Sequence, residues 1–351
     1  MEITQEVIWP AVPGEGAWFQ PRVCSLADGK LLMTCQRISA DDGYGSVHMT
    51  TSSDNGHTWS VPEPVPPFPR RKVAPRDEEG EWEEAVCDVV PSELADGRIL
   101  LIGQNVWYRD GVLASPNDNR CSRWAISDNG KWSDGVIEWD DARCSRGLYA
   151  GCAQRIHLDD GNILLPVSHA SADGLPRGVC VLKLNENMQV IRAGPSLHYP
   201  AKRGLLEPTI VAHDGMFHMT IRAEDGRGWH TTSTDGMHWK PIEAWRFSDG
   251  SELVTDSTQQ RWLIHRDKLH LVYTRKHECN QQLMRWRAPL WIAEVTDGKL
   301  SGEMRLLPAD GEPLERLGNF STLSGNTSLV FATEARPEHE WSGRTLLARI
   351  N

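Results

Sequence analysis

The stretch Leu26-Ala27-Asp28-Gly29-Lys30-Leu31-Leu32 places an Asp-Gly pair between two apolar segments. Asp-Gly is a strong signal for a tight β-hairpin, because the turn needs a positive φ angle that glycine adopts at little cost. Two close copies and three weaker ones follow along the chain. The six turns are centred on positions 29, 97, 161, 215, 267 and 325, so they are 52 to 68 residues apart.

This repeat predicts the fold class. A four-stranded propeller blade with its loops takes about 40–50 residues or more, so six repeats fill the 351 residues of the chain. Few segments show a sustained helical period. We therefore predict an all-β protein, a six-bladed β-propeller with four-stranded antiparallel blades, as one domain over residues 1–351. A two-sheet β-sandwich is the alternative, but a repeat of this length favours a radial arrangement.

Composition and charge limit the partners. The net charge of −11 argues against nucleic acid and against an anionic membrane surface. No run of about 18 apolar residues predicts a membrane span, and the first residues lack the pattern of a secretory signal. We expect a cytoplasmic protein, or a secreted or periplasmic one if a leader was removed. The eight cysteines form no CxxC pair, so we expect free, buried thiols, no metal site and no cofactor.

Polar residues recur where the inner strand of each blade should face the axis. About seven positions before the turns stand Arg22, the Asp88 region, Gln154, Glu207, Gln260 and the stretch 318–320. The following strands end at Arg37, Gln104 with Asn105, His169, Arg222, Tyr273 with Arg275, and Glu334. Convergent polar groups at one level predict a ligand pocket at the hub. The alternative is a set of rim residues solvated by water in the channel.

A second motif follows the first hairpin. Ser52-Ser53-Asp54-Asn55-Gly56-His57-Thr58-Trp59 reads S-x-D-x-G-x-T-W and resembles the Asp-box of sialidases and related propellers. The segments 127–132 and 233–239 look like shortened copies. We expect a structural turn in which the aspartate accepts hydrogen bonds from turn amides, glycine is left-handed and tryptophan packs between blades.

Two longer runs, 20–32 and 206–222, are also similar to sialidases, and the resemblance implies roles for their residues. Arg22 and Arg222 match two of the three arginines that bind the substrate carboxylate in that family, for which guanidinium groups are well suited. Arg287, then Arg285, are the candidates for the third. Glu207 matches the glutamate that polarises the nucleophile. The spacing of the acid/base aspartate points to Asp41 or its neighbour Asp42, although this pair could also be an ordinary turn.

The last blade departs from the family. Sialidases usually carry a tyrosine nucleophile there, whereas this chain reads Asn319-Phe320-Ser321-Thr322-Leu323. Phenylalanine has no hydroxyl and cannot attack an anomeric carbon. Either the register differs, or Tyr273 substitutes, or the enzyme does not use the retaining tyrosine mechanism. His169 is a further candidate base, because histidine titrates near neutral pH.

We therefore expect a bacterial exo-acting glycoside hydrolase of sialidase-like type that cleaves a terminal, acidic sugar from a glycan. Asp41 or Asp42 would be the general acid/base, and Glu207 would tune a nucleophile or activate water. The expected substrate contacts are Arg22, Arg37, Gln104, Gln154, His169, Arg222, Gln260, Arg275, Arg285 and Arg287. The alternatives are a polysaccharide lyase acting on uronic acids and a non-catalytic propeller that binds a glycan or a protein.

Overall fold

The computed structural model describes residues 1–12, 17–38, 42–74, 79–114, 120–336 and 342–351. Asp41 lies outside the described residues. The strands of the described chain form six small sheets, each made mainly of neighbours in sequence paired antiparallel. The predicted all-β six-bladed propeller is confirmed. No helix in these ranges is both long enough and apolar enough to cross a membrane.

The first three blades follow one another along the chain. Blade 1 contains β2 Ala17–Ser25, β3 Leu31–Ile38, β4 Tyr44–Ser52 and β5 Glu63–Pro64. Blade 2 contains β6 Arg71–Val73, β7 Trp82–Glu93, β8 Ile99–Arg109, β9 Val112–Leu113, β10 Ser122–Asp128 and β11 Lys131–Val136, with β7 innermost of the four long strands. Blade 3 contains β12 Gly147–Tyr149, β13 Ile156–His157, β14 Ile163–Ala170, β15 Gly178–Leu184 and β16 Val190–Ala193.

The other three blades complete the ring. Blade 4 contains β17 Leu206–His213, β18 Met216–Arg222, β19 Gly228–Ser233 and β20 Glu243–Ala244. Blade 5 contains β22 Arg261–His265, β23 Lys268–Tyr273, β24 Leu290–Thr296 and β25 Lys299–Leu307, with β21 Arg246–Phe247 paired in parallel to β25. Blade 6 contains β26 Arg316–Leu323, β27 Ser328–Arg336, β28 Ser342–Ile350 and the N-terminal strand β1 Ile3–Trp9. Short 3₁₀ turns at Ala142–Cys144, Glu278–Asn280 and Met284–Trp286 lie in the loops.

All six predicted hairpins join the inner strand of a blade to its second strand. In the first, the Gly29 amide donates to the Leu26 carbonyl at 2.9 Å, and Gly29 has a φ of 84°. The ring is closed by β1, which pairs antiparallel with β28 as the outermost strand of blade 6. Apolar side chains of adjacent blades pack between the sheets, as in the cluster that joins Leu165 of blade 3 to Ile102 of blade 2.

The turn at Ser52–Trp59 ties blade 1 to blade 6. Asp54 Oδ1 accepts from the Thr58 amide at 2.9 Å, Gly56 has a φ of 85°, and the Trp59 ring lies edge-on to Phe331 at 5.7 Å. The segment 233–239 forms a similar turn, in which Asp235 accepts from the His238 amide at 2.7 Å. The segment 127–132 is different, because β10 and β11 are joined by a two-residue hairpin with two left-handed residues.

The inner strands share an irregularity at one level. Register shifts interrupt the pairing of β2, β7, β17 and β26 with their neighbours, and such bulges redirect side chains. The residues with positive φ at this level are Gln20, Asp88, Cys152, Glu207 and Ser257, one in each of blades 1 to 5. Left-handed non-glycine residues cluster at functional sites, where surrounding contacts hold them.

Candidate functional site

A cavity of about 330 Å³ lies at the hub, and all six blades contribute to its wall. The described residues that line it include six arginines, Arg120, Arg177, Arg203, Arg222, Arg285 and Arg287, against three carboxylates, Asp42, Asp88 and Glu207. The cavity therefore has a surplus of three positive charges in a chain whose net charge is −11. Such a local field attracts an anionic ligand despite the overall charge.

Glu207 and Arg222 form an ion pair on neighbouring strands of blade 4. Arg222 also donates from Nε and Nη2 to Ser257 Oγ, at 3.0 and 2.9 Å, which fixes its guanidinium plane. Burial alone would raise the pKa of Glu207, but Arg222, with Arg287 and Arg22 farther away, outweighs it and holds the pKa below its usual range. Glu207 is thus a carboxylate at neutral pH.

Asp88 is held by a cation beneath the cavity floor. Arg22 is fully buried, and its Nη2 donates to Asp88 Oδ1 at 2.8 Å and to Cys152 Sγ at 3.2 Å. Its Nη1 donates to the carbonyl of Phe320. This guanidinium joins blades 1, 2, 3 and 6, and its charge is already balanced by Asp88.

Asp42 differs from the other two carboxylates. It is exposed at the rim, with a φ of 56°, and no cation pairs with it among the described residues. Its Oδ1 accepts from the Tyr44 hydroxyl at 2.9 Å, and its carbonyl accepts from the Tyr108 hydroxyl at 2.6 Å. Burial raises the pKa of Tyr44 well above its ordinary value, and nearby acidic groups raise it further, so the phenol stays protonated.

Three of the cavity arginines have no carboxylate partner in the described part of the chain: Arg120, Arg285 and Arg287. Arg287 is the most enclosed, and its buried Nε makes no hydrogen bond to a described residue. Burial, together with the nearby Arg222 and Arg285, lowers its pKa to about 10. A guanidinium at this pKa is still charged at neutral pH, so an unmatched cation faces the cavity.

Comparison with solved structures identifies the fold. A protein of unknown function from Dyadobacter fermentans superposes over 99% of both chains with a TM-score of 0.72 and 14% identity. Trypanosoma rangeli sialidase aligns with 99% of this chain, with a TM-score of 0.67 and 14% identity, and NanB sialidase of Streptococcus pneumoniae with a TM-score of 0.67 and 12% identity. The chain has the sialidase-type propeller fold. It spans 59% of the trypanosomal chain and 71% of the streptococcal one. No family model and no curated protein sequence matches it.

The sialidase-type propeller brings six of the predicted site residues together in the cavity wall: Asp42, Gln104, Glu207, Arg222, Arg285 and Arg287. They come from blades 1, 2, 4 and 5. Arg285 and Arg287 lie in and after the turn Met284–Trp286, where Arg285 itself is left-handed, with a φ of 53°. That backbone places two cations two residues apart on one wall.

Arg22 and Gln154 lie deeper than predicted. Each is two residues beyond a left-handed position, Gln20 and Cys152 respectively. The Gln154 amide accepts from the Trp262 amide at 2.8 Å and donates to the Trp262 carbonyl at 2.9 Å, so it fastens blade 3 to blade 5. These residues support the cavity from below and do not line it.

The other predicted residues lie outside the cavity, since each is held elsewhere by its own contacts. The Tyr273 hydroxyl donates to Glu303 at 2.5 Å, and Arg275 pairs with the same carboxylate. Their side chains point to the outer strands of blade 5, so Tyr273 does not replace the missing tyrosine.

The remaining three are similar cases. His169 is enclosed by the Arg143 carbonyl at 3.0 Å and Ser196 Oγ at 2.8 Å. Gln260 is buried and accepts from Thr220. The guanidinium of Arg37 lies over the Trp18 ring, 4.4 Å from its centroid.

The last blade also presents a different residue from the one expected. Phe320 is fully buried in the apolar core between blades 5 and 6. Asn319, beside it in sequence, lines the cavity. Two phenols do reach the cavity, those of Tyr44 and Tyr149, on blades 1 and 3.

Sequence reasoning missed Tyr44, Tyr149, Arg120, Arg177 and Arg203. These residues stand at strand ends and between blades, outside the repeated hairpin, so no motif marks them. The sequence contained a partial signal for the bulges. Pro21 and Pro208 follow two of the left-handed residues, and proline inside a strand indicates an edge or a bulge. Within the described ranges, no group of three or more His, Cys, Asp or Glu side chains is arranged to hold a metal ion.

Proposed function

We propose that this protein is an exo-acting glycoside hydrolase that removes a terminal acidic sugar from a glycan. The observation that carries the proposal is the cavity at the hub, in which six arginines face three carboxylates. A sugar carboxylate would balance the excess positive charge. The trypanosomal sialidase that shares the fold has been solved with sialic acid, an acidic sugar.

The cations without partners are the natural receptors for the sugar carboxylate. Arg287 and Arg285 lie on one wall and Arg120 on the wall formed by blades 2 and 3, and none of the three is paired to a described carboxylate. A guanidinium presents parallel donors to both oxygens of a carboxylate, which fixes the orientation of the ring as well as its position. Arg222 is paired with Glu207 and adds to the positive charge of the cavity wall.

Asp42 is assigned as the general acid. It is the cavity carboxylate that lacks a cation among the described residues, and it lies at the rim of the cavity. A protonated Asp42 would donate its proton to the glycosidic oxygen as the bond to the anomeric carbon breaks. The Tyr44 hydroxyl, bonded to Oδ1, orients the carboxyl group.

Glu207 is assigned as the group that activates water. Arg222 keeps it in the carboxylate form, which can accept a proton from an attacking water molecule. The water oxygen would form the new bond to the anomeric carbon, the leaving oxygen would take the proton of Asp42, and the sugar would be released with inverted configuration. This route needs no tyrosine at Phe320, whose ring lies in the apolar core.

The test uses fluorogenic glycosides of sialic acid and of uronic acids, with neutral fucosides and rhamnosides as controls. We expect turnover of at least one acidic glycoside and a loss of about 10²–10⁴-fold in kcat for Asp42→Asn. The product configuration, read by proton NMR during the first minutes, should be inverted. Binding without turnover across the panel would indicate a binding module, and an unsaturated product would indicate a lyase. Either result would overturn the proposal.

A further inference from the structure

A smaller cavity of about 230 Å³ adjoins the central one at the junction of blades 3 and 4. We call it the side cavity. It shares Tyr149, Arg177 and Arg203 with the central cavity, so these three side chains form the wall between the two spaces. The Arg177 guanidinium lies over the Tyr149 ring, 3.9 Å from its centroid. The two cavities are therefore direct neighbours, with these side chains between them.

The charged residues described in the wall of the side cavity are all cations. The charged residues that line it are Arg146, Arg177, Lys202 and Arg203, and no described carboxylate takes part in its wall. Arg203 pairs with Glu224, which lies outside the wall. Arg146 and Lys202 make no ion pair with a described residue. Arg146 and Lys202 thus give the side cavity a positive charge that no described carboxylate balances.

The backbone holds these cations together against their repulsion. The Arg177 amide donates to the Arg203 carbonyl at 2.8 Å, and the Leu205 amide donates to the Arg177 carbonyl at 3.0 Å. Gly204 has a φ of 86°, and a Cβ there would lie 2.3 Å from the Arg177 carbonyl oxygen, so only glycine permits this close approach.

The pKa of Arg177 also indicates that these cations repel one another. Burial lowers the pKa of Arg177, and Arg203 and Arg120 lower it further. Cations held close in this way cost folding free energy unless an anion offsets them. An anionic ligand beside Arg146 and Lys202 would offset part of this cost.

We propose that the side cavity binds a second anionic group of the substrate, so that the substrate is an acidic glycan carrying anionic groups on successive residues. This inference rests on the proposed function of the central cavity, which would hold the terminal sugar. The second group is an oxyanion, either the carboxylate of the next acidic sugar or a sulfate ester on it. Both are bound by arginine and lysine through charge-assisted hydrogen bonds.

The experiment measures binding by isothermal titration calorimetry with matched ligands that carry one or two anionic groups. The pairs are galacturonic and digalacturonic acid, N-acetylneuraminic acid and its dimer, and a chondroitin disaccharide with and without a 4-sulfate. The test variant is Arg146→Gln with Lys202→Gln, since both side chains lie outside the central cavity. The control is Arg192→Gln, an exposed arginine on the outer strand of blade 3.

For at least one pair we expect the second anion to tighten binding by about tenfold in the wild type and in the control. The double variant should lose this gain and bind the one-anion ligand as before. The pair that shows the gain distinguishes a carboxylate from a sulfate. If no pair shows a gain that depends on Arg146 and Lys202, the inference is wrong.

The proposed function and the side-cavity proposal can be refuted independently. Turnover of acidic glycosides without a second-anion gain would overturn the side-cavity proposal alone. A second-anion gain without turnover of any glycoside would overturn the hydrolase assignment and leave the side cavity as a binding site. Thermal unfolding of each variant checks that a lost gain does not reflect a misfolded protein.

Discussion

Asp88 and Glu207 occupy equivalent positions in blades 2 and 4. Each is the left-handed residue of an inner-strand bulge, with φ of 54° and 45°. Their cations differ in position. Asp88 is neutralised at 2.8 Å by Arg22, wholly buried beneath the cavity, whereas Glu207 is paired with Arg222 in the cavity wall. The first pair therefore supports the floor, and the second faces the ligand.

Replacing Glu207 by Gln should separate binding from turnover. The amide cannot accept a proton from water, so kcat should fall by about 10²–10⁴-fold. The cavity also becomes more positive, so an acidic sugar should bind at least as tightly as before. Steady-state kinetics and calorimetric titration with a product sugar would show both effects, and an unchanged kcat would exclude Glu207 as the base.

Replacing Arg22 by Met should mainly destabilise the fold. The change leaves the Asp88 carboxylate buried without its cation, which costs about 3–5 kcal/mol of unfolding free energy. A second change, Asp88→Asn, should restore part of the lost unfolding free energy, since it removes the carboxylate charge that Arg22 no longer neutralises. Urea unfolding measures both variants. A raised KM at unchanged stability would instead show that Arg22 contacts the substrate.

Replacing Arg287 by Gln should weaken the binding of an acidic monosaccharide by about ten- to a hundredfold, because a charge-assisted hydrogen bond is lost. Arg37→Gln is the matched control. That arginine was also predicted to contact the substrate but stacks on Trp18, outside the cavity. Equal affinities for the two variants would contradict the assignment of Arg287 as a carboxylate receptor.

Replacing Tyr44 by Phe removes the hydrogen bond to Asp42 and should slow turnover by about tenfold, since the acid loses its orienting partner. It should not abolish turnover, because water is the nucleophile in the proposed route. The wild-type protein should form no adduct with a fluorinated sugar that traps glycosyl-enzyme intermediates, as read by mass spectrometry. An adduct on Tyr44 would show a retaining mechanism.

Acid should destabilise the protein through buried histidines. Burial lowers the pKa of His169 and of His230 to about 4, so both are neutral in the folded protein. The unfolded chain, with a histidine pKa of about 6.5, binds protons first as the pH falls. Stability should be full above about pH 6.5 and decline towards pH 4. Denaturant midpoints across this range test it, and His169→Asn should show a shallower decline.

The sequence was sufficient to predict the six-bladed ring, but it predicted only part of the cavity at its centre. Each Asp-Gly turn carries its own backbone signal, as Gly29 does, so all six hairpins could be located. The direction of an inner-strand side chain depends on the bulge, which adds a residue and shifts the alternation of the strand. In blade 3 the cavity residue Cys152 lies in a turn before β13, so counting back at a fixed distance reached Gln154, a support residue.

The side chains that give the cavity its charge were harder to predict. Arg120, Arg177 and Arg203 come from segments between strands of different blades, and only closure of the ring brings them together. Charged residues in such segments usually remain in solvent. Their convergence depends on contacts far apart in sequence, such as the hydrogen bond between Arg177 and Arg203.

The left-handed residues at the level of the cavity can be used to engineer the site. Gln20, Asp88, Cys152, Glu207 and Ser257 lie at one level in five blades, and they reach the cavity either directly or through one hydrogen bond. Their orientation comes from the local backbone of each blade, within an inner strand for Gln20, Asp88 and Glu207 and in the segment before one for Cys152 and Ser257. A library restricted to the codons of Gln20, Cys152, Glu207 and Ser257, with Asp88 kept to neutralise Arg22, would vary the chemistry of the hub while the blades stayed intact.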